Sequence, residues 1–156
     1  MFSGAGGLDL GFELTNRFET LVAIEYEKQF AETLRKNKSN GYLSNASIVE
    51  EDIRGLTPQF ISSKYFGDRC IDGIIGGPPC EAFSVFGSRK GLDDPRGMLI
   101  FEFIRWVKEI QPRFALMENV PPLMTIQDGA VINQINNELI DSGYFVDCKV
   151  LNAADF

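Results

Sequence analysis

The chain has 156 residues, 44% of them hydrophobic and 24% charged, a size and balance that suit one soluble domain with an ordinary core. Its net charge of −7 and pI near 4.6 count, taken alone, against a surface that binds nucleic acid, which carries a basic footprint. No apolar run reaches about 18 residues, and "MFSGAGG" lacks a basic segment followed by an apolar one, so neither a membrane span nor a secretory leader is expected.

The chain opens on a glycine-rich turn, "FSGAGG", and a short helix from about Leu8 to Leu14 is predicted to follow. "TLVAIEYE" reads as a strand ending at Glu25, and "EKQFAETLRKNK" as an amphipathic helix with Phe30 and Leu34 on its apolar face. "SIVEEDI" is a short strand. "TPQFISSKYF" is a short helix capped by Thr57, with Pro58 in its first turn. "CIDGIIGG" is the next strand, and residues 77–96 form a long loop. "GMLIFEFIRWVKEI" is a largely buried helix, "RFALMENV" a strand, "GAVINQINNELIDSG" a helix closed by Gly143, and "YFVDCKVL" a last strand. Strands alternating with helices predict an α/β fold with a mostly parallel sheet covered on both faces.

In such sheets ligands sit beyond the carboxyl ends of the strands. "GGPPC", "MENV" and "AIEYE" fall at such ends, and "FSGAGG" does too if residues before Met1 form a strand. Glu25 follows Gly6 by 19 residues, the spacing at which an acid meets ribose hydroxyls in nucleotide-binding units. Asp9 stands where a GxGxxG pattern would have its last glycine, which disfavours NAD or FAD and leaves another adenosine ligand open. A tight turn with a solvated strand-end acid explains the same residues equally well. Asp52 can accept a hydrogen bond from an adenine amino group or simply be solvated, and Tyr26 and Phe2 can flank an adenine ring or belong to the core.

The cysteines Cys70, Cys80 and Cys148 form no CxxC pair, which argues against a disulfide framework or a metal site and fits a reducing cytoplasm. Cys70 and Cys148, within or beside strands, are expected to be small core residues. Cys80 differs, because Pro78 and Pro79 stiffen the backbone before it. Arg89, Lys90 and Arg96 in the same loop are cations able to favour a thiolate. The chain has no histidine, so proton transfer falls to carboxylates, thiols or water. Glu118, ending the next strand, can face Cys80 across the sheet edge, a pairing that points to covalent addition with acid assistance.

These motifs, "FSGAGGLDLGFE", "GGPPCEAFSVFGSRKGLDDPRG", "MENV" and "VLNAADF", resemble in order and spacing those of the DNA cytosine-5 methyltransferases. The resemblance covers nearly the whole chain and implies a Rossmann-like domain that uses S-adenosylmethionine. It implies that Cys80 is the nucleophile, Glu118 the acid that holds the base, and Asn119 the brace of the Pro-Cys loop. Phe2, Ser3, Gly4, Ala5, Gly6, Gly7, Glu25, Tyr26, Asp52, Ile53, Pro78 and Leu99 match positions around the cofactor, and Ser84 and Arg96 positions that bind substrate. Tyr26 stands where relatives often carry Trp. Glu81 stands where they usually have Gln, which sets a negative charge next to the thiol. The substrate implied is a cytosine flipped out of double-stranded DNA.

The chain stops at "LNAADF", before a Pro-Gln stretch, a pair of arginines, the last strand and the target-recognition domain of the family. The expectation is therefore a partial catalytic domain over residues 1–156, a fragment or one half of a split enzyme, inactive without a complementing carboxyl-terminal polypeptide. A tRNA cytosine-5 methyltransferase and a non-catalytic cofactor-binding subunit are the alternatives; DNA is favoured as the commoner substrate of the family.

Overall fold

The computed structural model describes residues 1–79 and 98–155. Along the chain run α1 (Gly7–Glu13), β1 (Val22–Glu25), α2 (Lys28–Ser39), β2 (Ser47–Glu50), α3 (Pro58–Ile61), β3 (Gly73–Gly76), α4 (Met98–Ile110), β4 (Phe114–Met117) and α5 (Ala130–Asp141). A wide turn, Ser62–Phe66, extends α3.

β1 pairs with β2 in parallel, Val22 opposite Ser47, and β3 pairs with β4 in parallel, Gly73 opposite Phe114. The two pairs are linked through the first residues of the chain. The Met1 amine donates to the Ile75 carbonyl at 2.7 Å, and the Ser3 N–H donates to the Ile24 carbonyl at 3.2 Å. The spatial order is therefore β2, β1, residues 1–3, β3, β4.

The strands are apolar on both faces, as a sheet covered on both sides requires. Ala23 packs with Leu34 of α2, Leu43 and Ala46 on one face. Ile24 and Ile74 pack with Ile61, Phe103 and Trp106 on the other. α5 lies against α4, with Ile100, Ile104, Val131 and Ile135 buried between them. The caps read from the sequence are formed: the Thr57 hydroxyl accepts from the Phe60 N–H at 3.2 Å with Pro58 opening α3.

Three expectations are corrected. Residues 144–151 form no strand. Their backbone is unladdered and Phe145 is 96% exposed, because no neighbouring strand among the described residues offers a ladder to join. For the same reason Cys148 is exposed rather than in the core, and Cys70, in the turn that leads into β3, is exposed too. On α2 the buried residues are Ala31 and Leu34, while Phe30 is 41% exposed. Among the described residues, no helix is long and apolar enough to cross a membrane, and no cluster of His, Cys, Asp and Glu is arranged to hold a metal.

Candidate active site

The glycine turn is built by positive φ angles at Phe2, Gly4 and Gly6. Gly6 has a second constraint, since a Cβ there would lie 2.7 Å from Leu34 Cδ2. The turn folds back on itself through the Gly6 N–H, which donates to the Ser3 carbonyl at 2.8 Å, and it delivers the chain into α1.

Glu25, at the carboxyl end of β1, is buried and holds this turn. One carboxylate oxygen accepts from the Gly4 N–H at 2.7 Å and the other from the Glu27 N–H at 2.8 Å. Each oxygen keeps a lone pair for a further donor, so the brace and a ribose contact are compatible. Tyr26, next in sequence, is 65% exposed beside it. Asp52, at the end of β2, caps the turn Ile53–Gly55 by accepting from the Arg54 N–H at 2.9 Å, and its carboxylate is gripped by the Arg54 side chain. That hydrogen bond holds the Asp52 carboxyl below its usual range. The Ile53 side chain lies in the core, leaving its backbone as the part able to meet a ligand. Leu99, in the first turn of α4, packs half-buried against the same core.

At the carboxyl ends of β3 and β4 the two strands meet through backbone and side chain. The Glu118 N–H donates to the Gly76 carbonyl at 2.9 Å, extending the ladder by one step. The exposed Glu118 carboxylate lies over Gly77, where a Cβ would stand 3.0 Å from Oε2. Asn119 Nδ2 donates to the carbonyl of the buried Pro78 at 2.8 Å, and Asn119 Oδ1 accepts from the Val120 N–H at 2.9 Å. Gly76 has no room for a side chain either, since a Cβ would fall 2.3 Å from the Met1 carbonyl oxygen. A cavity of about 250 Å3 results, lined by Phe2, Ser3, Leu8, Asp9, Gly76, Gly77 and Glu118 among others. It joins the glycine turn to the base of the Pro-Pro-Cys segment.

Ser3, Asp9 and Glu25 are buried polar residues gathered at this turn. Asp9 is the member that sequence reasoning set aside as a broken glycine pattern. Burial pushes its carboxyl up, against the pull of the Met1 ammonium. The available signal was an acid in the first turn of a helix directly after a ligand-type turn. Cys80, Ser84 and Arg96, with Glu81, Arg89 and Lys90, lie outside the described residues.

The sequence profile of the C-5 cytosine-specific DNA methylases matches residues 1–156. The chain belongs to this family. It is 43% identical to the Type II methyltransferase M.FnuDI of Fusobacterium nucleatum over its whole length and 41% of that relative's. It is 40% identical to the Type II methyltransferase M.AquIA of Picosynechococcus sp. over 64% of that relative's length. The chain thus spans less than two thirds of these relatives. Among solved structures, a prophage-encoded protein of E. coli assigned as a DNA modification methyltransferase superposes with a TM-score of 0.73. It is 36% identical, and the match covers 90% of this chain and 36% of that one. The fold is accordingly the Rossmann-like α/β fold of the methyltransferases, and the methyl donor of the C-5 family is S-adenosyl-L-methionine.

The residues at the carboxyl ends fit that donor. It is a cation at sulfur, and the cavity is bordered by the carboxyl groups of Asp9 and Glu118. Its ribose needs acceptors, which Glu25 retains, and the space where a Gly4 side chain would project is open.

Proposed function

We propose that this chain is the cofactor-binding catalytic part, over residues 1–156, of an enzyme that methylates carbon 5 of cytosine in DNA through a covalent cysteine adduct. Target recognition would reside in a separate region supplied by a carboxyl-terminal polypeptide. The observation that carries the reading is the meeting of Glu118 and Asn119 with Gly77 and Pro78, at the stem that leads into Cys80.

Cytosine carbon 5 is too weak a nucleophile to react unaided. The Cys80 thiolate adds to carbon 6, which breaks the ring's aromaticity and places electron density on carbon 5. Glu118 holds the ring nitrogen 3 and the exocyclic amine, where charge develops during that addition. Asn119 fixes the Pro78 carbonyl and so sets where the following residues begin. S-adenosylmethionine, when bound, supplies an electrophilic methyl group on sulfur. Loss of the carbon 5 proton and expulsion of the Cys80 thiolate restore the aromatic ring.

Glu25, the glycine turn and the Ile53 backbone would hold the donor, with Tyr26, Phe2 and Leu99 around its adenine and Asp52 at the adenine amino group. Ser84 and Arg96 would face the nucleic acid. The test combines the chain with the carboxyl-terminal part of a relative and a DNA duplex carrying 5-fluorocytosine. A denaturation-resistant protein–DNA adduct that needs Cys80 and S-adenosylmethionine is expected. Methyl transfer without any adduct would refute the cysteine mechanism, and adduct formation by the chain alone would refute the need for a partner.

A further inference from the structure

Glu102, Arg105 and Glu109 stand three and four residues apart on α4, the spacing that puts side chains on one helix face. Arg105 Nε and Nη2 both donate to Glu102 Oε2, at 2.9 and 2.7 Å, and Nη1 donates to Glu109 Oε1 at 3.1 Å. Held by these carboxylates, the guanidinium also reaches the turn that follows β2. There Nη2 donates to the Leu56 carbonyl at 3.1 Å and, more distantly, to the Ile53 carbonyl at 3.5 Å. The second oxygen of Glu109 accepts from Gln59 Nε2 of α3 at 3.0 Å. One cluster on α4 thus ties down both ends of segment 53–59.

This turn is where the chain leaves the Asp52 end of β2. Its own bonds are short-range: the Gly55 N–H donates to the Asp52 carbonyl at 2.9 Å, and the Leu56 N–H to the Ile53 carbonyl at 3.2 Å. The Ile53 and Leu56 side chains are buried with Phe103 and Trp106. That burial keeps the turn on α4 but is non-directional. The Arg105 bonds are directional and charge-assisted. With the Ile53 carbonyl taken by Leu56 and Arg105, the Ile53 N–H is the backbone group this residue can offer a ligand. Beside the Asp52 carboxylate it makes a donor and acceptor pair, the complement of the ring nitrogen 1 and amino group on the pairing edge of adenine.

We propose that Arg105 is a positioning residue for the methyl donor: it fixes the Ile53–Gly55 turn, and through it the Asp52 carboxylate and Ile53 N–H that read the adenine edge. The inference rests on the cofactor placement proposed above. Lysine cannot fully replace Arg105, because a single ammonium nitrogen does not span two carboxylates and two carbonyls as the guanidinium fork does. The Arg105 side chain is 32% exposed, so its ion pairs are partly screened and their effect on global stability is limited.

The experiment measures, by calorimetry on the 156-residue chain, the binding of S-adenosylhomocysteine and of S-inosylhomocysteine. In the inosyl ligand a carbonyl replaces the amine and nitrogen 1 carries a hydrogen, which mismatches both groups offered by Asp52 and Ile53. The wild-type chain should prefer the adenosyl ligand by about tenfold or more, the scale of hydrogen bonds to a charged group. Arg105→Ala should weaken the adenosyl ligand by about tenfold and the inosyl ligand by less than about twofold, so that the preference collapses. A merely structural loss, such as partial unfolding, would weaken both ligands alike. Arg105→Lys keeps a positive charge between Glu102 and Glu109, which protects the fold, and should show an intermediate preference. Thermal melting identifies the folded variants. A folded variant of either kind that keeps the wild-type preference, or equal weakening of both ligands, would overturn the proposal. A wild-type chain that binds both ligands equally would overturn it too, by removing the adenine reading from Asp52 and Ile53. Failure of the wild-type chain to bind S-adenosylhomocysteine at all would overturn the cofactor placement itself, and the role of Arg105 with it.

Discussion

The side-chain amide of Asn119 donates to the Pro78 carbonyl across 2.8 Å, tying the residue after Glu118 to the second residue before Cys80. This bond spans 41 positions of sequence and fastens the ends of β3 and β4 beyond their backbone ladder. Asn119→Ala removes the donor while leaving Glu118 in place. In the completed enzyme it should lower kcat by about tenfold or more through loss of positioning. The Kd for S-adenosylmethionine should stay within about twofold. A fall in cofactor affinity with kcat preserved would show that Asn119 shapes the cofactor site instead.

Glu25 accepts from two backbone N–H groups while buried, so its carboxylate braces the turn and keeps a lone pair on each oxygen for a further donor. Glu25→Ala should weaken S-adenosylmethionine by about 1.5–3 kcal/mol, the range for hydrogen bonds to a charged group, read by calorimetry. It should also lower Tm, because the Gly4 and Glu27 donors lose their acceptors. Glu25→Gln keeps one acceptor oxygen and should fall between. A lowered Tm with unchanged cofactor affinity would assign Glu25 to structure alone.

Glu118 and Gly77 form a pair in which the absence of one side chain sets the place of the other. A Cβ at Gly77 would stand 3.0 Å from Glu118 Oε2, so Gly77→Ala makes the carboxylate give by a few tenths of an ångström. Glu118→Gln should cut the methylation rate by about 10²-fold or more, the usual scale for a lost acid. Gly77→Ala should produce a smaller loss of the same kind, with cofactor binding intact in both. If Gly77→Ala were fully active, the close approach of Glu118 would have no catalytic meaning.

The Asp52 carboxyl lies below its ordinary range because the Arg54 side chain hydrogen-bonds it. A depressed carboxyl contributes stability that is complete above the unfolded value of about 3.8 and is lost as pH falls through the folded value. The pair is largely solvent-exposed, which limits its contribution to about 0.2–1 kcal/mol. Asp52→Asn should therefore lower stability slightly at pH 7 and by less at a pH well below 3.8, in urea titrations at the two pH values. An equal loss at both would trace the effect to the backbone cap rather than the charge.

Much of this was legible in the sequence for identifiable reasons. Four-residue strands such as Gly73–Gly76 announce themselves as apolar runs bounded by glycine, and Thr57-Pro58 is a helix start by its chemistry alone. Glu118 was singled out by falling at a strand end, and Asn119 only by the resemblance that "MENV" carries. The residues 144–151 were misread because "YFVDCKVL" has strand composition, while a strand exists only where a neighbour pairs with it, and none among the described residues does. Cys70 and Cys148 followed the same error, since their burial was inferred from strands next to them. The bracing of the glycine turn by Glu25 was hidden because its partners are backbone groups, which leave no mark on composition.

The outer edge of β4 carries the last prediction. Among the described residues β4 pairs with β3 alone, so its other edge presents open N–H and C=O groups. Leu116 is 41% exposed, Val120 49%, and Phe145 in the unladdered segment 96%. An apolar strand with an open edge templates pairing with another chain, and nearby exposed aromatic and aliphatic side chains extend the adhesive surface. The isolated chain should self-associate at micromolar concentration, as measured by light scattering. Leu116→Lys together with Phe145→Lys places charge on that surface and should restore the monomer while costing no more than about 0.5 kcal/mol of stability for each exposed position. A wild-type chain that is monomeric throughout would show that this edge does not template pairing.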